Sequence, residues 1–266
     1  MVATPKFIPG LNIAVDYYDI TVNGVIVSLT AQNIVNACYD QPTLSNPFCG
    51  LFSRVRTGIG PLGETAGQIQ GNTLISAPFN FAKRVRRGVD FQLDYARNLG
   101  NDFSVKGNLI YTHSFKVSNY ENPTLPDFEN RVLGELGDPT NEFRVSMDVS
   151  KGPFTFGWEV HYIGSMWINA YEDFNALQDR LPQDADYATS SQYPAVFYHD
   201  FRFEWDMEKS GTLKNLKFYA GVDNLFNVIP PFGQTGTGER VAGGGTGSPI
   251  YSVRGRQFYA GVRAKF

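Results

Sequence analysis

The 266-residue sequence predicts an all-β fold: an antiparallel transmembrane β-barrel with long loops at one end and short turns at the other. Three observations point there. Apolar and polar side chains alternate along segments from one end of the chain to the other, which is the strand template rather than the helical one. Short and long connections alternate through the C-terminal half, as short periplasmic turns and long extracellular loops do. The chain also closes on such a segment. Phe258, Ala260, Val262, Ala264 and Phe266 fall on one face, and Gln257, Tyr259, Gly261, Arg263 and Lys265 on the other. A soluble sandwich strand can alternate too. A strand of this length ending on Phe is more like the closing strand of an outer-membrane barrel.

In chain order, Leu11, Ile13, Val15 and Tyr17 alternate with Asn12, Ala14 and Asp16, and Ile20–Ile26 extends that strand. Leu29–Ala37 has the spacing of a short helix, with Ser28 or Thr30 as N-cap. A stretch dense in turn residues runs from Tyr39 to Asn72, and Leu74–Lys83 is expected as a separate strand. Clear strands follow, with Val89, Phe91, Leu93 and Tyr95 on one face, then Phe103, Val105, Leu109 and Tyr111. Phe143, Val145, Met147 and Val149 make the next, and Phe154, Phe156, Trp158, Val160 and Tyr162 the one after. Phe197, Phe201, Phe203 and Trp205, then Leu216, Phe218, Ala220 and Val222, precede the closing strand. The total is about nine or ten strands. Their polar faces carry full charges: Asp90 and Asp94, Arg144 and Asp148, Arg202, Glu204 and Asp206, Arg263 and Lys265. Tyr17, Tyr95, Tyr111, Tyr162, Trp167 and Trp205 near strand ends read as interfacial girdles. Arg97–Asp102, Lys151–Pro153 and Met207–Asn215 are short turns; Val117–Asn141, Asn169–Pro194 and Leu225–Arg254 are long and polar. The pattern leaves strand parity open between Ile20 and Val89, and with it the side of the membrane that holds the two cysteines.

Composition narrows the function classes. Basic and acidic side chains number 23 and 26, so no basic footprint points to nucleic acid. No run approaches the roughly 18 apolar residues of a membrane helix. The N-terminus has neither the basic nor the apolar region of a signal peptide, so either an export signal has been removed or the chain is part of something longer. In an oxidising compartment Cys38 and Cys49 would form a disulfide closing a short loop, a constraint of about 2–3 kcal/mol. In a reducing cytosol they would be two free thiols.

Four stretches, in this order, resemble the C-terminal part of a TonB-dependent outer-membrane receptor. Asp16-Tyr17-Tyr18-Asp19-Ile20 is similar to a mid-barrel strand of that family, and the Cys38–Cys49 segment to a cysteine-bearing insert that follows it in one subgroup. Arg87-Gly88-Val89-Asp90-Phe91 resembles the start of a later strand. Gly221-Val222-Asp223-Asn224-Leu225-Phe226-Asn227, followed by Pro230-Pro231, resembles the signature before the final loop. The resemblance implies the last nine or ten strands of the 22-stranded barrel of such transporters, with the plug domain and signal peptide absent from residues 1–266. It implies uptake of a scarce ligand, of the siderophore-iron, cobalamin or carbohydrate class, captured by outer loops and driven by TonB through the plug. The implied location is the cell outer membrane of a Gram-negative bacterium, and the implied partners are outer-membrane lipid, the barrel-assembly machinery, the TonB complex and an extracellular small ligand. Phe258, Tyr259, Val262 and Phe266 would carry the assembly signal. Asn224, Leu225 and Phe226 read as a structural strand end, with Asn224 tying down the backbone.

Other chemistry is weakly supported. Gly58-Ile-Gly60-Pro-Leu-Gly63 matches a dinucleotide fingerprint only literally, since no clear strand and helix flank it. The glycine-rich Gly236–Gly247 lacks the Lys-Ser/Thr of a phosphate loop. Of the three histidines, His161 shares the polar face with Glu159, while His113 and His199 fall on the apolar face. A self-contained small barrel, porin-like or a hydrolase using His161, is the rival reading, and a soluble β-sandwich binding module the third. No catalytic, metal or cofactor residue is assigned. Tyr120, Glu121, Asp127, Tyr171, Asp173, Asp184, Asp186 and Tyr187 could contact ligand from the loops.

Overall fold

Alternation of this kind makes a sheet with unlike faces, and the computed structural model shows one. It describes residues 1–208, 216–229, 231 and 250–264. Its strands are β1 (Val2–Ala3), β2 (Leu11–Ser28), β3 (Pro78–Gly100), β4 (Phe103–Tyr120), β5 (Asn130–Arg131), β6 (Asn141–Lys151), β7 (Phe154–Ile163), β8 (Met166–Trp167), β9 (Gln192–Tyr193), β10 (Val196–Asp206), β11 (Leu216–Asp223) and β12 (Gln257–Ala264). Among the described residues two α-helices, α1 (Ala31–Tyr39) and α2 (Tyr171–Phe174), and a short 3-10 helix at Pro47–Leu51 lie in connections. One sheet runs in the order β1-β2-β3-β4-β6-β7-β10-β11-β12, with β5 on β4, and a second pairs β8 with β9. The main path is open: among the described residues, β12 pairs with β11 and not with β1 or β2.

Register keeps like faces together. Val145 lies opposite Leu109 and Val160, Trp158 opposite Met147 and Phe201, and Val222 opposite Phe201 and Phe258. A one-residue slip anywhere would turn a strand's apolar set to the charged side. The apolar side stays open, with Phe156 60% and Phe258 76% exposed, as a lipid-facing wall requires. On the opposite face Tyr259 lies over Gly221 and Tyr219 over Gly261, so a Cβ on either glycine would collide with a ring. These two reciprocal contacts fix β11 against β12.

The chain divides into two compact units. The larger comprises Met1–Asp19, Arg86–Val117 and Arg131–Phe266. Here β6, β7 and β10 have 11, 10 and 11 residues, the length of a tilted membrane-spanning strand of about 9–11 residues. Turns are tight: Asn101 and Asp102 take positive φ (50° and 56°) in the two-residue β3–β4 connection, the left-handed pair of a hairpin turn. A small core of Ile163, Met166, Val196, Tyr198 and Tyr251 caps the strands where long connections begin.

The second unit comprises Ile20–Val85 and Ser118–Asn130. Thr30 caps α1, its Oγ1 accepting from the Asn33 N–H at 3.1 Å. Ile34 and Cys38 turn inward and join Leu29 and Phe52 in a core. Cys38 and Cys49 are disulfide-bonded, with Cα atoms 4.8 Å apart. The Asn46 side chain donates to the Cys38 carbonyl at 3.0 Å and accepts from the Phe48 N–H at 3.1 Å.

Three expectations change. Leu74–Lys83 is not a strand of its own; its later part belongs to the single 23-residue β3. The helix begins and ends two residues later than Leu29–Ala37. Trp167 is no girdle residue but lies in β8, stacked on Phe174 at 5.7 Å. The strand count between Ile20 and Val89 also closes: β2 and β3 are successive strands, joined by the connection that carries the disulfide. Phe266, Lys265, Pro230 and Gly236–Gly247 lie outside the described residues.

Candidate functional site

The even-numbered positions of β6 and β10 and the odd ones of β7, β11 and β12 share the polar face, and its charges pair across strands. Arg144 meets Glu159 at 2.5 Å and His161 meets Glu142 at 2.8 Å. These are diagonal neighbours, since the register sets Arg144 opposite His161. Arg202 reaches Asp148 at 2.9 Å and Glu204 at 3.4 Å. The first of these bridges spans a whole strand. Asp148 and Arg202 both lie opposite Gly157, where a Cβ would sit 2.8 Å from Asp148 Oδ1 and 3.2 Å from Arg202 Nε. On β3 and β4, Thr112 donates to Asp90 and Asn108 to Asp94, each at 2.7 Å. Pairs this exposed contribute about 0–1 kcal/mol each; their consequence is a wall that is wet, charged and nearly neutral.

Two hollows open on this wall. The first, about 330 Å³, is lined by Asp148, Glu159, Asp200, Arg202, Asp223 and Tyr259. The second, about 270 Å³, lies beside Arg144, His161, Asn224 and Arg254, and shares Asp200 and Asp223 with the first. Asp200 accepts from the Asn224 N–H at 2.7 Å. Asn224 is buried in a left-handed conformation (φ 52°), accepting from the Val228 N–H at 2.7 Å and donating to the Arg254 carbonyl at 3.3 Å. Its neighbour Phe226 is exposed and packs edge-on against His199 at 5.0 Å. His161 is therefore a partner of Glu142 rather than of Glu159, the acid that sequence parity suggested. His113 and His199 sit on the apolar face as expected, against Phe115 and Trp158.

At the loop end of the larger unit, two connections hold each other through glutamates. Glu135 accepts from the Tyr171 N–H at 2.8 Å, and Glu172 accepts from the Arg131 N–H at 3.1 Å. The Arg131 guanidinium lies 3.7 Å over the Tyr171 ring, and the Trp167 N–H donates to the Gly134 carbonyl at 2.7 Å. Burial, with Glu172 and Asp138 nearby, pushes the Glu135 carboxyl up to about 7. Burial and Asp184 raise Asp173 in the same direction, against the hydrogen bond it receives from Asn169. Among the candidate loop residues, Tyr171 thus belongs to this clasp, Asp173 bonds within its own connection to Asn169, and Tyr187 packs on Phe174. In the second unit Asp127 pairs with Lys83, Glu121 pairs with Arg84, and Tyr120 lies under Lys83. Asp200, Arg131, Glu135 and Glu172 were missed from sequence. Strand parity alone could have found Asp200; the reciprocal clasp leaves no local signal. Among the described residues no cluster of metal-ligating side chains occurs.

The profile of the TonB-dependent receptor-like β-barrel family matches residues 6–225. The chain belongs to that family. Its members are outer-membrane receptors and not enzymes, so the hydrolase reading of His161 falls. Among solved structures, a mutant ferric enterobactin receptor of Pseudomonas aeruginosa is 20% identical over 97% of this chain and 29% of its own, with a TM-score of 0.52. A second mutant of that receptor, in complex with enterobactin, gives 19%, 97%, 30% and 0.53. The ferripyoverdine receptor of the outer membrane of P. aeruginosa, bound to ferripyoverdine, gives 13%, 97%, 25% and 0.50. These likenesses establish the fold. The chain spans less than a third of the length of those structures. No curated protein sequence matches it significantly.

Proposed function

We propose that this chain forms wall and outer loops of a receptor that imports a scarce ligand across the outer membrane of a Gram-negative bacterium. The observation that carries the reading is the family match over residues 6–225, joined to a wall whose two faces suit lipid and water. Ligand is captured by the long connections, which include the disulfide-braced α1 segment and the Glu135–Glu172 clasp. It then passes along the charged wall, where Arg144, Arg202 and Arg254 face Asp200 and Asp223. TonB acts through the plug that the family carries inside its barrel, and the residues here supply the surface past which that plug moves. Phe258, Tyr259, Val262 and Phe266 present the closing strand to the barrel-assembly machinery.

The test is genetic. Deletion of the gene is expected to abolish uptake of one ligand from a panel of ferric siderophores, cobalamin and oligosaccharides, and loss of TonB is expected to abolish the same uptake. Uptake that depends on this gene but persists in a TonB-deficient strain refutes the reading. Fractionation is expected to place the chain with the outer membrane in a heat-modifiable form.

A further inference from the structure

The second unit contains a cavity of about 320 Å³ beside the α1 segment, whose lining narrows what that segment could capture. One side is α1 with its C-cap, which present Asn33, Asn36 and Asp40 along the outer stripe, while Ile34 and Cys38 of the helix are buried. This is the spacing of one helical face. The other side is the segment after β4, with Glu121, Asn122, Thr124, Phe128 and Asn130. The helix is a stiff platform, held by the Cys38–Cys49 disulfide, the Asn46 side chain and the core around Phe52.

The chemistry of the lining is specific. Four of its side chains are carboxamides, which both donate and accept. Asn122 Oδ1 already accepts from the Thr124 N–H and Oγ1 at 2.9 and 2.7 Å, so its amide nitrogen supplies donors. Asn36 Oδ1 accepts from Gln32 at 2.8 Å, with the same result. The lining contains no lysine, arginine or histidine, and Glu121 is paired with Arg84 at 3.4 Å. A phosphate or an anionic chelate would find no cation there, only the carboxylates of Asp40 and Glu121. Phe128 offers an apolar ring beside the amides. Amide donors and acceptors around an aromatic surface suit a neutral ligand dense in hydroxyls, and the volume is at the small end of the roughly 300–1,000 Å³ of ligand pockets.

We infer that the cavity between α1 and the Glu121–Asn130 segment is a binding site for a neutral oligosaccharide. The inference rests on the receptor reading for the sugar's fate, but not for its binding.

The test uses outer membranes from cells that express the chain from its own gene. Equilibrium dialysis with radiolabelled maltotriose, cellotriose and mannotriose is expected to show binding of at least one, and ferric enterobactin supplies an anionic comparator. Asn33→Leu and Asn36→Leu are each expected to weaken the sugar about tenfold, the scale of one or two lost hydrogen bonds. Leucine favours a helix more than asparagine does, so loss of binding with the disulfide and heat-modifiability intact marks the site and not the fold. Binding of none of the three sugars, or binding that both variants leave unchanged, overturns the inference. Uptake assays in the same cells separate the two readings. TonB-dependent uptake of some other ligand, indifferent to Asn33 and Asn36, overturns the sugar site and keeps the receptor. Sugar binding that these variants weaken, without uptake, supports the site and assigns it to polysaccharide of the cell surface; uptake of the bound sugar supports it as a nutrient site.

Discussion

Raising the pH from 5.5 to 8.5 is expected to loosen the clasp between the β4–β6 and β7–β10 connections, and Glu135→Gln is expected to abolish most of that response. Glu135 is displaced from its ordinary value of 4.5 to about 7, chiefly by burial. In the unfolded loop it loses its proton near its ordinary value. The folded clasp therefore binds a proton that the open loop releases, and stability is lost as pH rises from 4.5 through 7. Between pH 5.5 and 8.5 only the part of the displacement above pH 5.5 is lost, about 1.5 pH units or about 2 kcal/mol at roughly 1.4 kcal/mol per pH unit. Water that still reaches the carboxyl reduces this to about 1 kcal/mol. Opening should then be about fivefold more frequent at pH 8.5. Amide hydrogen exchange at Tyr171 and Trp167, corrected for the intrinsic effect of pH, measures it, since both N–H groups are bonded across the clasp. Glutamine keeps an oxygen for the Tyr171 N–H and carries no charge, so the variant should be protected at both pH values. The small slope that remains belongs to Asp173, raised by burial and Asp184. Equal protection of the wild type at the two pH values, or an undiminished slope in Glu135→Gln, would refute the reasoning.

Phe201→Arg, in the middle of β10 on the apolar face, should cost about 2–4 kcal/mol if that face meets hydrocarbon; the yield of heat-modifiable protein in the outer membrane measures it, and normal yield would count against the lipid assignment. Cys38→Ser should remove about 3 kcal/mol from the α1 segment, from the chain entropy of an 11-residue separation. Faster proteolysis within residues 29–77 at unchanged barrel yield is the expected readout. Gly157→Val should break the Arg202–Asp148 bridge and cost about 1–3 kcal/mol by overpacking, lowering the temperature at which the barrel unfolds in SDS; an unchanged transition would mean that the bridge is not formed.

Much of this architecture was legible because a period of two is arithmetic. Once Val145 and Val160 are each set on an apolar face, their pairing across β6 and β7 follows, and so does the charged face behind them. The failures have physical causes. Lys83, Arg84, Arg86 and Arg87 interrupt the apolar alternation between Phe81 and Val89, so one strand read as two. In the structure Lys83 is paired with Asp127, Arg84 with Glu121 and Arg87 with Asp19, partners 37 or more residues away for the two arginines. With that strand divided, the strands between Ile20 and Val89 could not be counted. Glu135 and Glu172 were invisible for a related reason: each serves a backbone N–H in a different connection, and backbone donors carry no sequence signature.

The error over His161 shows what sequence parity can and cannot supply. Parity puts Glu159 and His161 on one face, about 7 Å apart along the strand, a gap that Arg202 crosses to Glu204 but that these two do not. A diagonal neighbour on the next strand can reach across, and His161 takes Glu142 while Glu159 takes Arg144, both in the same sense. Arg202 follows a different rule, reaching past β7 to Asp148 because Gly157 leaves the gap open. Many of the charges on this wall are thus consumed in pairs, Glu142, Asp148 and Glu159 each answered by a cation one or two strands away. Asp200 and Asp223 are the exceptions that matter for function. Asp200 is held by a backbone N–H, and the two acids line both hollows. Arg202 lines the first hollow and Arg144 and Arg254 the second, so where the hollows join, Asp200 and Asp223 stand among three guanidinium groups. The mixture of both signs in one small volume is what strand parity alone could place but not pair.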